Sequence, residues 1–239
     1  RDIELDNIDI YIKSIPSARC SSTGDPHYTT FDGYHYHFYD RGEVLMVRSL
    51  SRDFEVQART HGGPYSRNCA VAAKENNNLV IIDVCNGHLD VITDFVEDES
   101  LRPTVYRSGE NQYIIDFLSG ANVNVHIWGN NMNIYISVIG GDRGHTIGMC
   151  GTYDGNSNNE GNPSYIIRNY MGLPPEWRVN SDNSLWNWIR TEEEGQENEL
   201  GHDSIECHYT RPLTRRPILR IPNIEDITDI LKQSSNQVD

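Results

Sequence analysis

The chain has 239 residues, of which 20 are Lys or Arg and 35 are Asp or Glu, for a net charge of −15. The acid excess argues against nucleic acid and anionic membranes as partners, because both need a basic surface, while a 37 % hydrophobic content can build a core and excludes global disorder. At roughly 150 residues per domain the length fits one large domain, or one domain with appendages, and no apolar run nears the ~18 residues of a membrane-spanning helix, so membrane insertion is not expected.

Residues 1–19 read as an N-terminal strand or linker, with Ile3, Leu5, Ile8, Ile10 and Ile12 in partial period-two spacing. The opening Arg1-Asp2 carries no secretory signal, which implies a removed signal or a start inside a longer protein. From Cys20 to about Tyr170 the signals are those of β structure. Tyr34 to Tyr39 alternates aromatic and polar groups, Val44 to Val47 is apolar, Phe54 to Ala58 alternates, and Leu79 to Val84 reads as a buried strand. Tyr113 to Phe117, Val123 to Trp128 and Met132 to Val138 follow, with turn signals such as Asp32-Gly33, Asn86-Gly87 and Gly129-Asn130 between strands. This spacing predicts an all-β antiparallel fold, a two-sheet sandwich or a barrel.

Beyond Tyr170 the texture changes. Residues 171–190 form an aromatic-rich tail, with Trp177, Leu185, Trp186, Trp188 and Ile189, expected to pack back on the domain. Residues 191–222 combine an acidic loop with a Pro-rich linker, and 223–239 carry Ile224, Ile227, Ile230 and Leu231 at helical spacing, which predicts a short helix.

The five cysteines, Cys20, Cys69, Cys85, Cys150 and Cys207, contain no CxxC pair, which argues against a zinc ribbon or a thioredoxin-like site. They fit two disulfides and one left over in an oxidising compartment, or five thiols in the cytosol. No Asn-x-Ser/Thr sequon occurs, which weighs slightly against secretion.

Three segments carry chemistry. In Gly24-Asp25-Pro26-His27, the Asp25 carboxyl can attack its own main-chain carbonyl, and the Pro26 nitrogen is a good leaving group once protonated. With His27 alongside as an acid, the bond could be cut by the protein itself; the alternative is a simple turn. In Asp154-Gly155-Asn156-Ser157-Asn158-Asn159-Glu160, oxygen-bearing side chains at alternate positions suit calcium, without the glycine and glutamate spacing of an EF-hand. His35 and His37 share one face of a strand and could begin a zinc or copper site, but spacing supplies no third ligand. There is no Gly-x-Ser-x-Gly, no phosphate loop and no recognisable nucleophile context, so the chain is not expected to be an enzyme beyond a single self-cleavage.

Two motifs, in order and about 120 residues apart, resemble those of the von Willebrand factor type D domain. The first is Cys20-x4-Asp25-Pro26-His27-x3-Phe31-Asp32-Gly33. The second is Gly148-Met149-Cys150-Gly151-Thr152-Tyr153-Asp154-Gly155-Asn156-Ser157-Asn158-Asn159-Glu160. The resemblance covers roughly residues 20–170. Trp177-Arg178-Val179 and Ser184-Leu185 look like the tail seen in von Willebrand factor D and EGF domain proteins and in membrane mucins.

The resemblance implies an antiparallel β sandwich in an extracellular protein, either secreted or the ectodomain of a surface protein. It implies a Cys20–Cys150 disulfide, leaving Cys69–Cys85 to close a hairpin. Cys207 is then unpaired or intermolecular, because the strand that supplies its partner in relatives, here Gly42 to Val47, has no cysteine. It also implies calcium, held by Asp32, Thr152, Asp154, the main chain at Asn156, Asn159 and Glu160, with Thr152 standing for an Asn and Glu160 for an Asp. The tetrapeptide Gly24-Asp25-Pro26-His27 matches the sequence that self-cleaves in some members. The leading expectation is a calcium-stabilised module for structural assembly or adhesion, with other extracellular or matrix proteins or a second copy of itself as partners. Self-processing at Asp25-Pro26 and association with lipoprotein, as in vitellogenin-like proteins, are the alternatives.

Overall fold

A computed structural model describes residues 16–63, 65–160 and 173–190. The expected strand within residues 1–15, the acidic loop and linker, the C-terminal helix and Cys207 lie outside the described residues. Thirteen strands occur among those described. They are β1 (Ala18–Thr23), β2 (His27–Thr29), β3 (His35–His37), β4 (Gly42–Ser49), β5 (Phe54–Gly62), β6 (Ser66–Glu75), β7 (Asn78–Asp83) and β8 (Asp90–Asp94). β9 (Thr104–Arg107), β10 (Gln112–Asp116), β11 (Asn122–Trp128), β12 (Asn131–Val138) and β13 (Thr146–Ile147) follow. They form two antiparallel sheets, as the strand pattern predicts: seven strands in the order β3-β2-β1-β12-β11-β10-β9, and six in the order β13-β4-β5-β6-β7-β8.

The seven-stranded sheet follows the period-two rule. Met132, Ile134, Ile136 and Val138 of β12, Val123 and Val125 of β11, and Tyr113 and Ile115 of β10 are buried, while their neighbours face outward. These side chains meet Val44, Met46, Val56, Ala58, Val71, Ala73, Val80 and Ile82 of the second sheet in one core. β6 is different, because Asn68 to Glu75 is buried on both faces. Its inner face joins the core, and on its outer side Ala72, together with Leu79 and Ile81 of β7, packs against Leu185, Ile92 and Trp186. The buried Gln57 fixes this cover: its side chain donates to Asn183 O (2.7 Å) and accepts from Leu185 N (2.9 Å).

One end of the sandwich is pinned by a buried charge. Asp142 is fully buried in the turn after β12 and accepts from Ser49 Oγ (2.7 Å), Arg52 Nε (2.9 Å), Arg52 Nη2 (2.9 Å) and Ile139 N (3.2 Å). Arg52 also pairs with Glu75, which accepts from Ser119 Oγ at 2.6 Å in the β10–β11 turn. The β4–β5 loop of one sheet is thereby tied to two turns of the other.

After β13 the chain returns beside β4, where Met149 N donates to Leu45 O (2.9 Å) and Cys150 N to Met46 O (2.8 Å). Gly148, at φ +119°, would place a Cβ 2.8 Å from Met46 O and 2.9 Å from Leu45 O. Both backbone strain and contact with main-chain atoms oppose any side chain there. Gly148→Ala is expected to cost about 2–4 kcal/mol, read as a lower urea midpoint with unchanged m-value.

Candidate functional site

The closing segment is held by covalent and polar links to the opening hairpin. Cys20, inward-facing in β1, is bonded to Cys150 with a Cα–Cα distance of 5.5 Å. Phe31 N donates to Cys150 O (3.0 Å), and the Tyr36 hydroxyl donates to Met149 O. The second disulfide, Cys69–Cys85, joins β6 to the residues just past β7.

This docking delivers Asp32 to the loop that follows Tyr153. Asp32 Oδ2 accepts three consecutive main-chain N–H groups, from Asp154 (2.9 Å), Gly155 (2.8 Å) and Asn156 (3.1 Å). Asp154 Oδ1 accepts from Asn156 N (2.8 Å) and its Oδ2 from Asn159 Nδ2 (2.6 Å), and these bonds hold its carboxyl below the ordinary value, the Asn159 amide contributing most. Glu160 turns back and accepts from Thr152 N at 3.2 Å. The six residues expected to hold calcium therefore sit in one network. Gly151 makes room for it: at φ +76°, any Cβ there would fall 1.4 Å from Glu160 Oε2.

Positive charge is sparse here: against the carboxylates of Asp32, Asp154 and Glu160 stands Arg143, whose Nη2 donates to Asp154 O at 2.9 Å. Partial burial and then the neighbouring Asp32 push the Glu160 carboxyl up to about 8, and its Oε1 is a buried atom with no hydrogen-bond partner. A raised carboxyl pKa means the folded state holds a proton that the unfolded state has released. This contribution is therefore most favourable below about pH 4.5 and is lost as pH rises towards 8, unless another cation takes the proton's place. An all-oxygen donor set with an orphaned carboxylate oxygen suits a hard cation such as calcium. Among the described residues, no three His, Cys, Asp or Glu side chains already converge as a metal cage. The oxygen set would need Asn159 and main-chain carbonyls as well as its carboxylates.

The other candidate is the turn between β1 and β2. His27 Nε2 lies 2.9 Å from Asp25 Oδ1, and Asn133 Oδ1 accepts the Gly24 N–H at 2.9 Å. His27 and His37 are register partners, with their Nδ1 atoms 2.6 Å apart. His35 instead pairs with Thr29, Nδ1 to Oγ1 at 2.9 Å. His35 and His37 do share an exposed face, but no third ligand joins them among the described residues.

The described residues thus form an all-β, disulfide-closed sandwich in which the loop after Tyr153 docks on the first hairpin. Residues 20–162 match the von Willebrand factor type D domain, and the chain belongs to that family. It is 28 % identical over 179 residues to Sushi domain-containing protein 2 of Homo sapiens, covering 67 % of this chain and 21 % of the relative. It is 25 % identical over 172 residues to otogelin-like protein of Homo sapiens (69 % and 7 %) and 28 % identical over 148 residues to SCO-spondin of Gallus gallus (59 % and 3 %). The chain thus spans between 3 % and 21 % of the length of these curated relatives. Otogelin-like protein and SCO-spondin are secreted or extracellular proteins, and the chain is assigned to the same compartment, where disulfides persist. No helix among the described residues is long and apolar enough to cross a membrane.

Proposed function

We propose that the chain is a non-enzymatic, calcium-stabilised extracellular module serving structural assembly or adhesion. The observation that carries this reading is the Asp32 carboxylate on the opening hairpin, gripped by three main-chain N–H groups of the closing loop beside the partnerless Glu160 Oε1. Asp32, Thr152, Asp154, Asn159 and Glu160, with the main chain at Asn156, would hold the cation. Bound there, calcium supplies the missing positive charge and locks the loop to the hairpin, leaving a rigid scaffold for partners in a matrix or at a cell surface.

Calcium at about a hundred times its Kd is expected to add about 2.7 kcal/mol of stability. A thermal melt in calcium against the same melt in chelator checks it, with Asp32→Asn abolishing the difference. Identical melting with calcium and with chelator removes the calcium reading.

A second reading, self-processing at Asp25-Pro26, is favoured by the 2.9 Å contact that sets His27 Nε2 on the Asp25 carboxylate. A reducing gel with N-terminal sequencing tests it: a fragment beginning Pro26-His27 supports cleavage, and a single intact band across mildly acidic pH removes it. The lipoprotein alternative gains no comparable support. Leu50, Tyr65, Leu101, Leu118 and Trp128, among the more exposed large apolar side chains, sit in loops, turns, a short 3-10 helix and a strand end.

A further inference from the structure

We propose that His37 is a positioning residue for self-processing, passing a proton to His27 and fixing which ring nitrogen of His27 faces Asp25. The inference rests on the self-processing reading and adds to it a residue that lies outside the Gly24-Asp25-Pro26-His27 tetrapeptide.

The argument is one of proton counting. An ionised Asp25 has no proton to give, so the 2.9 Å contact from His27 Nε2 requires the proton on that nitrogen. A neutral His27 then has a bare Nδ1, and the 2.6 Å approach of His37 Nδ1 requires one proton between the two nitrogens. His37 must supply it, as an Nδ1–H donor. When the pair gains a proton from solvent at His37 Nε2, the Nδ1 proton of His37 crosses to His27, which becomes an imidazolium donating at both nitrogens. A second added proton would set N–H against N–H and break the contact.

The surroundings hold this arrangement. His27 and His37 are opposed in the β2–β3 ladder, with ring centroids 4.6 Å apart, and Tyr39 stacks on His37 at 5.7 Å. Asp25 faces the outer nitrogen of His27, and among the described residues His27 and Tyr39 are the titratable rings packed on His37. Asn133 of β12 holds the Gly24 N–H, which steadies the turn that presents the bond.

In the step itself, a carboxylate oxygen of Asp25 bonds to the Asp25 main-chain carbonyl carbon, and the bond from that carbon to Pro26 N breaks. The nitrogen leaves with the electron pair and takes the Nε2 proton of His27, becoming a secondary amine. The product on the other side is a cyclic anhydride of Asp25. Solvent water opens it, restoring the side-chain carboxylate and creating a new C-terminal carboxylate. Opening the anhydride to two carboxylates releases two protons, one of which restores the Nε2–H of His27 while the other goes to the Pro26 amine; the Nδ1 contact with His37 keeps His27 in the form that takes the proton back at Nε2.

The test uses the whole chain incubated between pH 4.5 and 8, with the Pro26-His27 fragment followed by mass spectrometry under reducing conditions. His37→Phe keeps a ring to stack on Tyr39 and removes the nitrogen. It is expected to slow the cut about ten-fold or more and to change the pH–rate profile, with an unchanged melting temperature showing that the variant folds. Equal rates and superimposable profiles in wild type and variant overturn the proposal. If the wild type never cuts, the self-processing reading fails on its own, and ring-nitrogen NMR then decides about His37. The expected result is His27 in its Nε2–H form in the wild type, with that preference lost in His37→Phe; a His27 tautomer indifferent to the variant overturns the relay.

Discussion

Replacing Cys20 and Cys150 with serine is expected to lower the unfolding free energy by about 4–5 kcal/mol and the melting temperature by roughly 10–20 °C. The bond closes a loop with a sequence separation of 130, so its loss releases far more of the unfolded chain than loss of Cys69–Cys85, whose separation is 16. The larger bond also does something specific to this fold. It holds the segment from Gly148 to Tyr153 against β1, and from there Asp32 reaches the closing loop. The serine variant should therefore lose both stability and any calcium-dependent rise in melting. Urea and thermal melts in calcium and in chelator measure the two losses together. A serine variant as stable as the wild type would mean that the packing of the two sheets alone fixes the closing segment.

Asp142→Ala is expected to cost about 3–5 kcal/mol. The carboxylate is wholly buried and serves four donors, two of them on the Arg52 guanidinium. Its removal leaves Arg52 with Glu75 and Ser119 only, and leaves Ser49 Oγ and the Ile139 N–H without their acceptor. Most of the cost comes from those stranded groups rather than from the pair's own attraction. The double variant Asp142→Ala with Arg52→Met is therefore expected to be less destabilised than the single one, because the cation is removed with its partner. Denaturant titration of the two variants side by side checks this; a double variant worse than the single would show that Arg52 matters mainly by packing over Phe54, where it lies 4.4 Å from the ring centroid.

The fold was legible where one face of a strand is wet. β10, β11 and β12 alternate cleanly, and their strands lie within a residue or so of the pattern in the amino acids. β6 escaped detection for the opposite reason. Ser66 to Glu75 reads SRNCAVAAKE, rich in alanine, without alternation, because both of its faces are covered. What covers the outer one is a stretch more than a hundred residues later, and no local signal reports it. β8 and β9 are short, half-exposed strands near turn-rich sequence and carry little apolar pattern of their own.

The candidate sites divide in the same way. The loop from Asp154 to Glu160 stood out because oxygen donors crowd a short polar segment, whereas Asp32, Thr152 and Asn159 entered only through the resemblance to the family. Asp142 did not, because Gly140-Gly141-Asp142-Arg143-Gly144 reads as an ordinary turn and its partner Arg52 lies 90 residues away in the chain. His27 was visible beside the breakable bond. His37 was visible as one of two histidines on a strand, but its pairing with His27 depends on the β2–β3 register, which spacing alone does not set.

The order of strands in the seven-stranded sheet has a consequence for synthesis. β1 sits between β2 and β12, so the first hairpin has no neighbour to complete it until late in the chain. At translation rates of ~5–20 residues per second, Cys20 leaves the ribosome roughly 6–26 s before Cys150, whereas Cys69 and Cys85 follow one another within about 1–3 s. During that interval the nascent chain carries an unpaired Cys20 thiol beside two others that can accept it. A β6–β7 hairpin that closes its own bond in that interval would leave Cys20 only Cys150 as a partner among the described cysteines.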